Sequence, residues 1–140
     1  MTAKQYLKQI DLINGRIKRC EARISSLRDT LTTLSAVKYD GIKVQTSGTN
    51  TNEELTLEMI ALEEEMKAYV VQLEQKKSEI TKMLHTINYE DGENVLYLRW
   101  IEQLDFYEIA DSIPCSLRHV HRIHSMALHL LTEKLSHDVT

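Results

Sequence analysis

Residues 105–131 read DFYEIADSIPCSLRHVHRIHSMALHLL, and the spacing of apolar side chains in this stretch predicts two helices joined by a tight turn. Ile109 and Ala110 fall on the inner side of a short first helix, with Ala110 small enough for close backbone approach. A turn is expected at Ile113, Pro114 and Cys115. Ser116 then suits the cap of a second helix, because its hydroxyl can accept a backbone N–H, and Val120, Ile123, Ala127, Leu128 and Leu131 recur along one buried side. This is the apolar pattern of a helix-turn-helix. Its outward positions are Leu117, Arg118, His119, His121, Arg122 and His124, none of them acidic. A guanidinium can offer paired hydrogen bonds to a phosphate or to the acceptor edge of guanine, so helix 116–131 fits a reader of the DNA major groove.

Immediately upstream, the acidic run Tyr89-Glu90-Asp91-Gly92-Glu93 opens a helix that continues as NVLYLRWIEQL, with Val95, Leu96, Leu98, Ile101 and Leu104 apolar and Tyr97 and Trp100 adding bulk. It has the length to support the two helices after it, which makes residues 89–135 a three-helix unit followed by a short tail, 136–140. A unit of that size is small for independent stability and is expected to pack on something else.

Further upstream the periodicity changes. Ile10, Ile13, Ile17, Cys20, Ile24, Leu27, Leu31 and Leu34 alternate steps of three and four, as do Leu55, Met59, Leu62, Met66, Tyr69, Leu73, Lys76, Ile80, Met83 and Ile87, with Lys76 the one polar intrusion. Both are heptad seams of long helices. Between them, residues 36–52 collect Gly41, Gly48, Ser47, Thr46, Thr49, Asn50 and Thr51, which predicts a flexible loop. Residues 1–35 hold seven bases against three acids, and residues 53–88 four bases against eight acids. Opposite charges flanking a shared seam predict an antiparallel coiled-coil hairpin over residues 1–88. Ile60, Val70, Val71 and Leu84 lie off the seam, and a two-helix hairpin is a thin core, so a homodimer through a four-helix bundle is also expected; the bland alternative is a scaffold only. The expected fold is therefore all-α: a long helical hairpin, then a three-helix helix-turn-helix unit.

Composition agrees and narrows the class. Only 4 glycines and 1 proline occur in 140 residues, which leaves room for few turns. The two cysteines, Cys20 and Cys115, fall far apart on apolar positions, as reduced thiols of a cytoplasmic protein do. MTAKQYLKQI lacks the apolar core of a signal peptide, and no run is long enough for a membrane helix. The net charge of −4 is unusual for a nucleic-acid binder. Its distribution matters more: of the nine acids after residue 88, seven precede Ser112 and only Glu133 and Asp138 follow, so the end of the chain is acidic before the turn and basic after it.

The segment LYLRWIEQLDFYEIADSIPCSLRHVHRIHSMALHLL resembles the C-terminal region of bacterial sigma factors that recognises the −35 promoter element, at Leu98-Arg99-Trp100, Glu108-Ile109-Ala110, Ser116, Val120, Ile123 and Ala127-Leu128. With the hairpin and the VQTSG loop, the chain is similar to small sigma-factor-like regulators encoded by phages and prophages of low-GC Gram-positive bacteria. Their recognition helix often reads Ser-x-Arg-His-Val-x-Arg-Leu-His, here Ser116-Leu117-Arg118-His119-Val120-His121-Arg122-Ile123-His124. The resemblance implies transcriptional control of phage or prophage genes in the host cytoplasm, double-stranded DNA with a promoter-like site as ligand, and RNA polymerase as a further partner. It assigns the groove-facing positions to Ser116, Leu117, Arg118, His119, His121 and Arg122. Two departures stand out: Pro114 occupies the place of the usual turn glycine and cannot take a positive φ, and Leu117 can touch a thymine methyl but cannot bond a base edge.

Other chemistry is weaker. Five of six histidines lie between His119 and His137, but His121 and His124 alone do not close a zinc site; their expected role is charge that rises as pH falls toward phosphate-bound imidazolium. Glu102, Asp105 and Glu108 have no nucleophile or phosphate loop beside them and read as a solvated face. Neither an enzyme nor a cofactor is expected. The competing reading is a protein-interaction module that keeps a sigma-like fold and contacts RNA polymerase, a sigma factor or a host defence protein, for which the net negative charge is no handicap.

Overall fold

A computed structural model describes residues 1–39 and 46–138, and all regular structure among them is helical. Helix α1 spans Ala3–Tyr39, α2 Thr46–His85, α3 Glu90–Leu96, α4 Phe106–Ser112 and α5 Leu117–Asp138; α3 runs on into a π-helical turn, Tyr97–Ile101. None of these helices is long and apolar enough to cross a membrane.

The start of α1 is closed by a reciprocal pair of bonds. The Gln5 N–H donates to Thr2 Oγ1 at 3.2 Å, and the Thr2 N–H donates to Gln5 Oε1 at 3.0 Å, a capping box that satisfies two otherwise orphaned donors. Helix then continues further than the Gly/Ser/Thr-rich composition of residues 36–52 predicts: α1 reaches Tyr39 and α2 begins at Thr46, so both ends of the expected loop are helical, and its middle, 40–45, lies outside the described residues. The reason is cooperativity. Once a long helix is nucleated, each added residue of modest propensity costs only a few tenths of a kcal/mol, and a glycine such as Gly48 about 1 kcal/mol.

Compactness divides the chain into two units. One is Ile13–Gln72; the other joins Met1–Leu12 to Leu73–Thr140. In Ile13–Gln72, the α1 seam residues Ile13, Ile17, Cys20, Ile24 and Leu27 are buried, whereas Leu55, Met59, Leu62, Met66 and Tyr69 of α2 are half-buried. Bases on α1 meet acids on α2: Arg23 makes two hydrogen bonds to Glu58, at 3.1 and 3.3 Å, and Arg28 reaches Glu63 at 3.9 Å, while the Arg16 guanidinium lies 5.8 Å from the Tyr69 ring centre. Such exposed pairs contribute about 0–1 kcal/mol each and act on register more than stability.

The second unit has a closed core. Leu7 and Ile10 of α1, Ile80 and Leu84 of α2, and Val95, Leu96, Ile109, Val120, Ala127 and Leu131 are all 0% exposed. Leu84, off the heptad seam in sequence, is therefore a core residue. The three C-terminal helices bury their apolar sides only with help from the ends of α1 and α2; each large aliphatic side chain so buried adds roughly 1.5–3 kcal/mol. Gly92 sets how closely α3 approaches α5, since a Cβ there would stand 2.7 Å from Ala127 Cβ and 2.5 Å from the Tyr89 ring. Two left-handed residues mark the joints, Asn88 (φ 53°) and Gln103 (φ 61°). At the second, the Leu104 N–H reaches back to the Leu98 carbonyl at 3.0 Å and the Gln103 amide donates to the Trp100 carbonyl at 2.6 Å, which closes the π-helical end.

Candidate nucleic-acid interface

Both helices around the turn start on a side-chain cap. The Glu108 N–H donates to Asp105 Oδ1 at 2.8 Å, and that bond, first among its causes, holds the Asp105 carboxyl below its ordinary range. Asp105 is thus a cap, where composition suggested only a solvated carboxylate; the spacing Asp105-x-x-Glu108 was the available signal. The His119 N–H donates to Ser116 Oγ at 3.1 Å, as expected of a capping serine. Between them, Ile113 ends α4 with φ −112° and ψ 45°, its N–H on the Ile109 carbonyl, and the Cys115 N–H bonds the Ala110 carbonyl at 3.3 Å. The turn is made without a positive φ, so Pro114 fits where a glycine would otherwise serve.

Ile109, Val120, Ile123 and Val95 form the cluster that holds α4, α5 and α3 together, with Phe106, Ala110, Ile113 and Cys115 packed around it. With that side sunk, the first two turns of α5 expose Ser116, Arg118, His119, His121 and Arg122, and Leu117 is half-buried at their edge. No acid occurs in the first turn of α5, and among the described residues neither Arg118 nor Arg122 is held in an ion pair.

His124 departs from its expected outward position. It is half-buried, its Nε2 accepts the Trp100 indole N–H at 3.2 Å, and burial, followed by the neighbouring charges of Arg99, His121 and Lys4, lowers its pKa to about 4. A ring in that state is neutral and accepts a hydrogen bond, so His124 is not part of a titrating phosphate surface. Phe106 supports it from the side, with ring centres 5.0 Å from His124 and 4.4 Å from His121. The Arg99 guanidinium lies 5.2 Å from the Trp100 ring and 5.4 Å from the Phe106 ring. Arg99, Trp100 and Phe106 are thus contributors that spacing within α5 could not reveal. Among the described residues no three His, Cys, Asp or Glu side chains converge as a metal site would require.

Residues 33–132, more than half of the chain, match the family described as Protein of unknown function (DUF1492). The chain belongs to this family. The match takes in α3, α4 and most of α5, hence every residue of the candidate interface, while the first 32 residues lie outside it. No curated protein and no solved structure matches the chain.

Proposed function

We propose that this DUF1492 member is a DNA-binding transcription regulator of phage or prophage genes, in which α4 and α5 act as a helix-turn-helix and the start of α5 enters the major groove. One observation carries the reading: the capped, acid-free first two turns of α5 hold Arg118, His119 and Arg122 in solvent while Val120 and Ile123 sink into the core. Capping fixes the direction of the helix, and unpaired guanidinium groups keep their donors for phosphate or guanine. In the same proposal α1 and α2 form an antiparallel coiled-coil hairpin that pairs two such readers in a homodimer, and RNA polymerase is the further partner. Selection of bound fragments from a host or prophage genome tests it, and a shared motif upstream of genes is the expected result. On a selected duplex, Arg118→Ala weakens binding by about 1–3 kcal/mol if that side chain reads a base. Failure of the wild-type chain to enrich any fragment sinks the reading.

A second reading has its own observation. Tyr107 on α4 is 71% exposed and stands among exposed acids, with Asp105 before it, Glu108 beside it and Asp111 one turn on. An aromatic residue set among acids suits a basic protein surface. Binding to purified RNA polymerase in the absence of DNA, lost on Tyr107→Ala and kept on Arg118→Ala, would favour this reading over the first.

A further inference from the structure

A single α5 brings only two arginines to a duplex, few for a chain of net charge −4. Two cations from elsewhere in the chain stand along one side of this helix. Arg99 lies against Phe106, and Phe106 lies against His121 and His124, so the guanidinium is one ring away from α5. Aromatic rings engage a guanidinium through its face, which leaves the N–H edge for an anion. No acid is within ion-pair distance of it among the described residues: Glu102 acts on Tyr97, and Asp105, bonded to the Glu108 N–H, feels the Arg99 charge only as the last of the causes that lower its carboxyl. Lys4 arrives from the opposite end of the chain. The Ala3 N–H donates to Thr132 Oγ1 at 3.0 Å, which docks the first turn of α1 on α5, and exposed Lys4 is close enough for its charge to act on His124.

We propose that Arg99 and Lys4 form a phosphate-binding flank beside α5, contacting the sugar-phosphate backbone that borders the groove α5 enters. The inference rests on the reading of α5 as a DNA-binding helix and adds residues outside it. A helix lying in the major groove has a phosphate strand along each edge, and contacts there fix its orientation independently of sequence. Arg99 serves the half of α5 near His121. Lys4 serves the stretch from His124 toward Thr132, so the two cover successive turns of one side.

The test is the salt dependence of binding to a random-sequence DNA duplex, followed by fluorescence anisotropy, with helical circular dichroism as the check on folding. Lys4→Ala flattens the slope of log affinity against log salt by about 1, and Arg99→Gln by a similar amount, each with a loss of roughly 3- to 10-fold in affinity that is the same on random and selected duplexes. Arg99→Lys, which keeps the charge if the aromatic packing suffers, retains most of the slope. Lys82→Ala removes the same charge from a groove lined by Glu74 and Glu79 and leaves the slope unchanged. If Lys4→Ala and Arg99→Gln bind like wild type while Arg118→Ala is weakened, the flank is overturned and the reading of α5 stands. If Lys82→Ala flattens the slope as much as Lys4→Ala does, only total charge acts and the flank is again overturned. If the wild-type chain binds no duplex at any salt, both ideas fall.

Discussion

Residues 13–72 and the unit built from the two ends of the chain draw on similar apolar side chains and bury them to different depths. In the first, α1 sinks its seam, but the facing residues of α2 stay half-exposed and Leu57, Ile60 and Val71 are 66%, 48% and 56% exposed on the outside. In the second, helices α3, α4 and α5 close with the beginning of α1 and the end of α2, and among the described residues nine large side chains there fall below 2% exposure, against Leu27 alone in the first. Two helices offer each other one line of contact. Five segments enclose a volume, and a residue inside it loses solvent on all sides. The rigid, capped surface of α5 is carried by the enclosed unit, as suits a site whose side chains must be held in place.

Three measurements test how far the two regions differ. The largest effect is expected in the core. Leu96→Ala, at a fully buried position, should cost about 2–5 kcal/mol in urea denaturation, against about 1 kcal/mol for Leu62→Ala at the half-buried seam of α2. Equal losses would mean that the seam is better enclosed than its exposure indicates.

Next is the acid limb of stability. Folding depresses the pKa of His124 from 6.5 to about 4, so the unfolded chain takes up a proton that the folded one refuses. The contribution is complete above about pH 6.5 and is lost as pH falls toward and through about 4. Between pH 7 and pH 4.5 it should amount to roughly 1–2 kcal/mol, after a discount for the partly exposed ring. His124→Gln cannot protonate but can still accept the Trp100 N–H, and its stability should fall less over that range than that of wild type, read from tryptophan fluorescence in urea. Parallel pH profiles would place the acid sensitivity elsewhere.

The smallest effect concerns the joint after the π-helical turn. Gln103 holds a positive φ that costs a side chain of this type about 1 kcal/mol, and Gln103→Gly relieves it while losing the bond to the Trp100 carbonyl and adding freedom to the unfolded chain. A net gain of less than about 1 kcal/mol is expected, seen as a small rise in midpoint; a clear loss would show that the Gln103 amide matters more than the backbone conformation.

Much of this is legible in the sequence. The seam from Ile10 to Leu27, the turn at Ile113 to Cys115, the Ser116 cap and the buried line Val120, Ile123, Ala127 and Leu131, with Leu128 only half-buried beside it, all follow from local spacing, because a helix fixes the direction of each side chain relative to its neighbours three and four residues away. The Thr2 and Gln5 box and the Asp105 cap were also written in the chain, as a capping residue three positions before Gln or Glu, but a reading that follows apolar residues passes over them. His124 was not legible. By spacing within α5 it belongs to the outer side, and it becomes an inner residue only because Trp100 and Phe106 come up beside it. Leu84 is the same case in α2: off its own seam, it is buried by other segments.

Local spacing thus accounts for the helices, their caps at α4 and α5, and which side of α5 carries Arg118, His119 and Arg122, because these depend on backbone hydrogen bonds and side-chain periods that act over a few residues. Long-range packing sets the rest: both ends of the chain share one core, the His124 imidazole serves as an acceptor for Trp100, and Arg99 and Lys4 stand along α5. Those outcomes depend on which helix ends meet, and residues as far apart as Lys4 and His124 have no spacing rule to connect them until packing sets their distance.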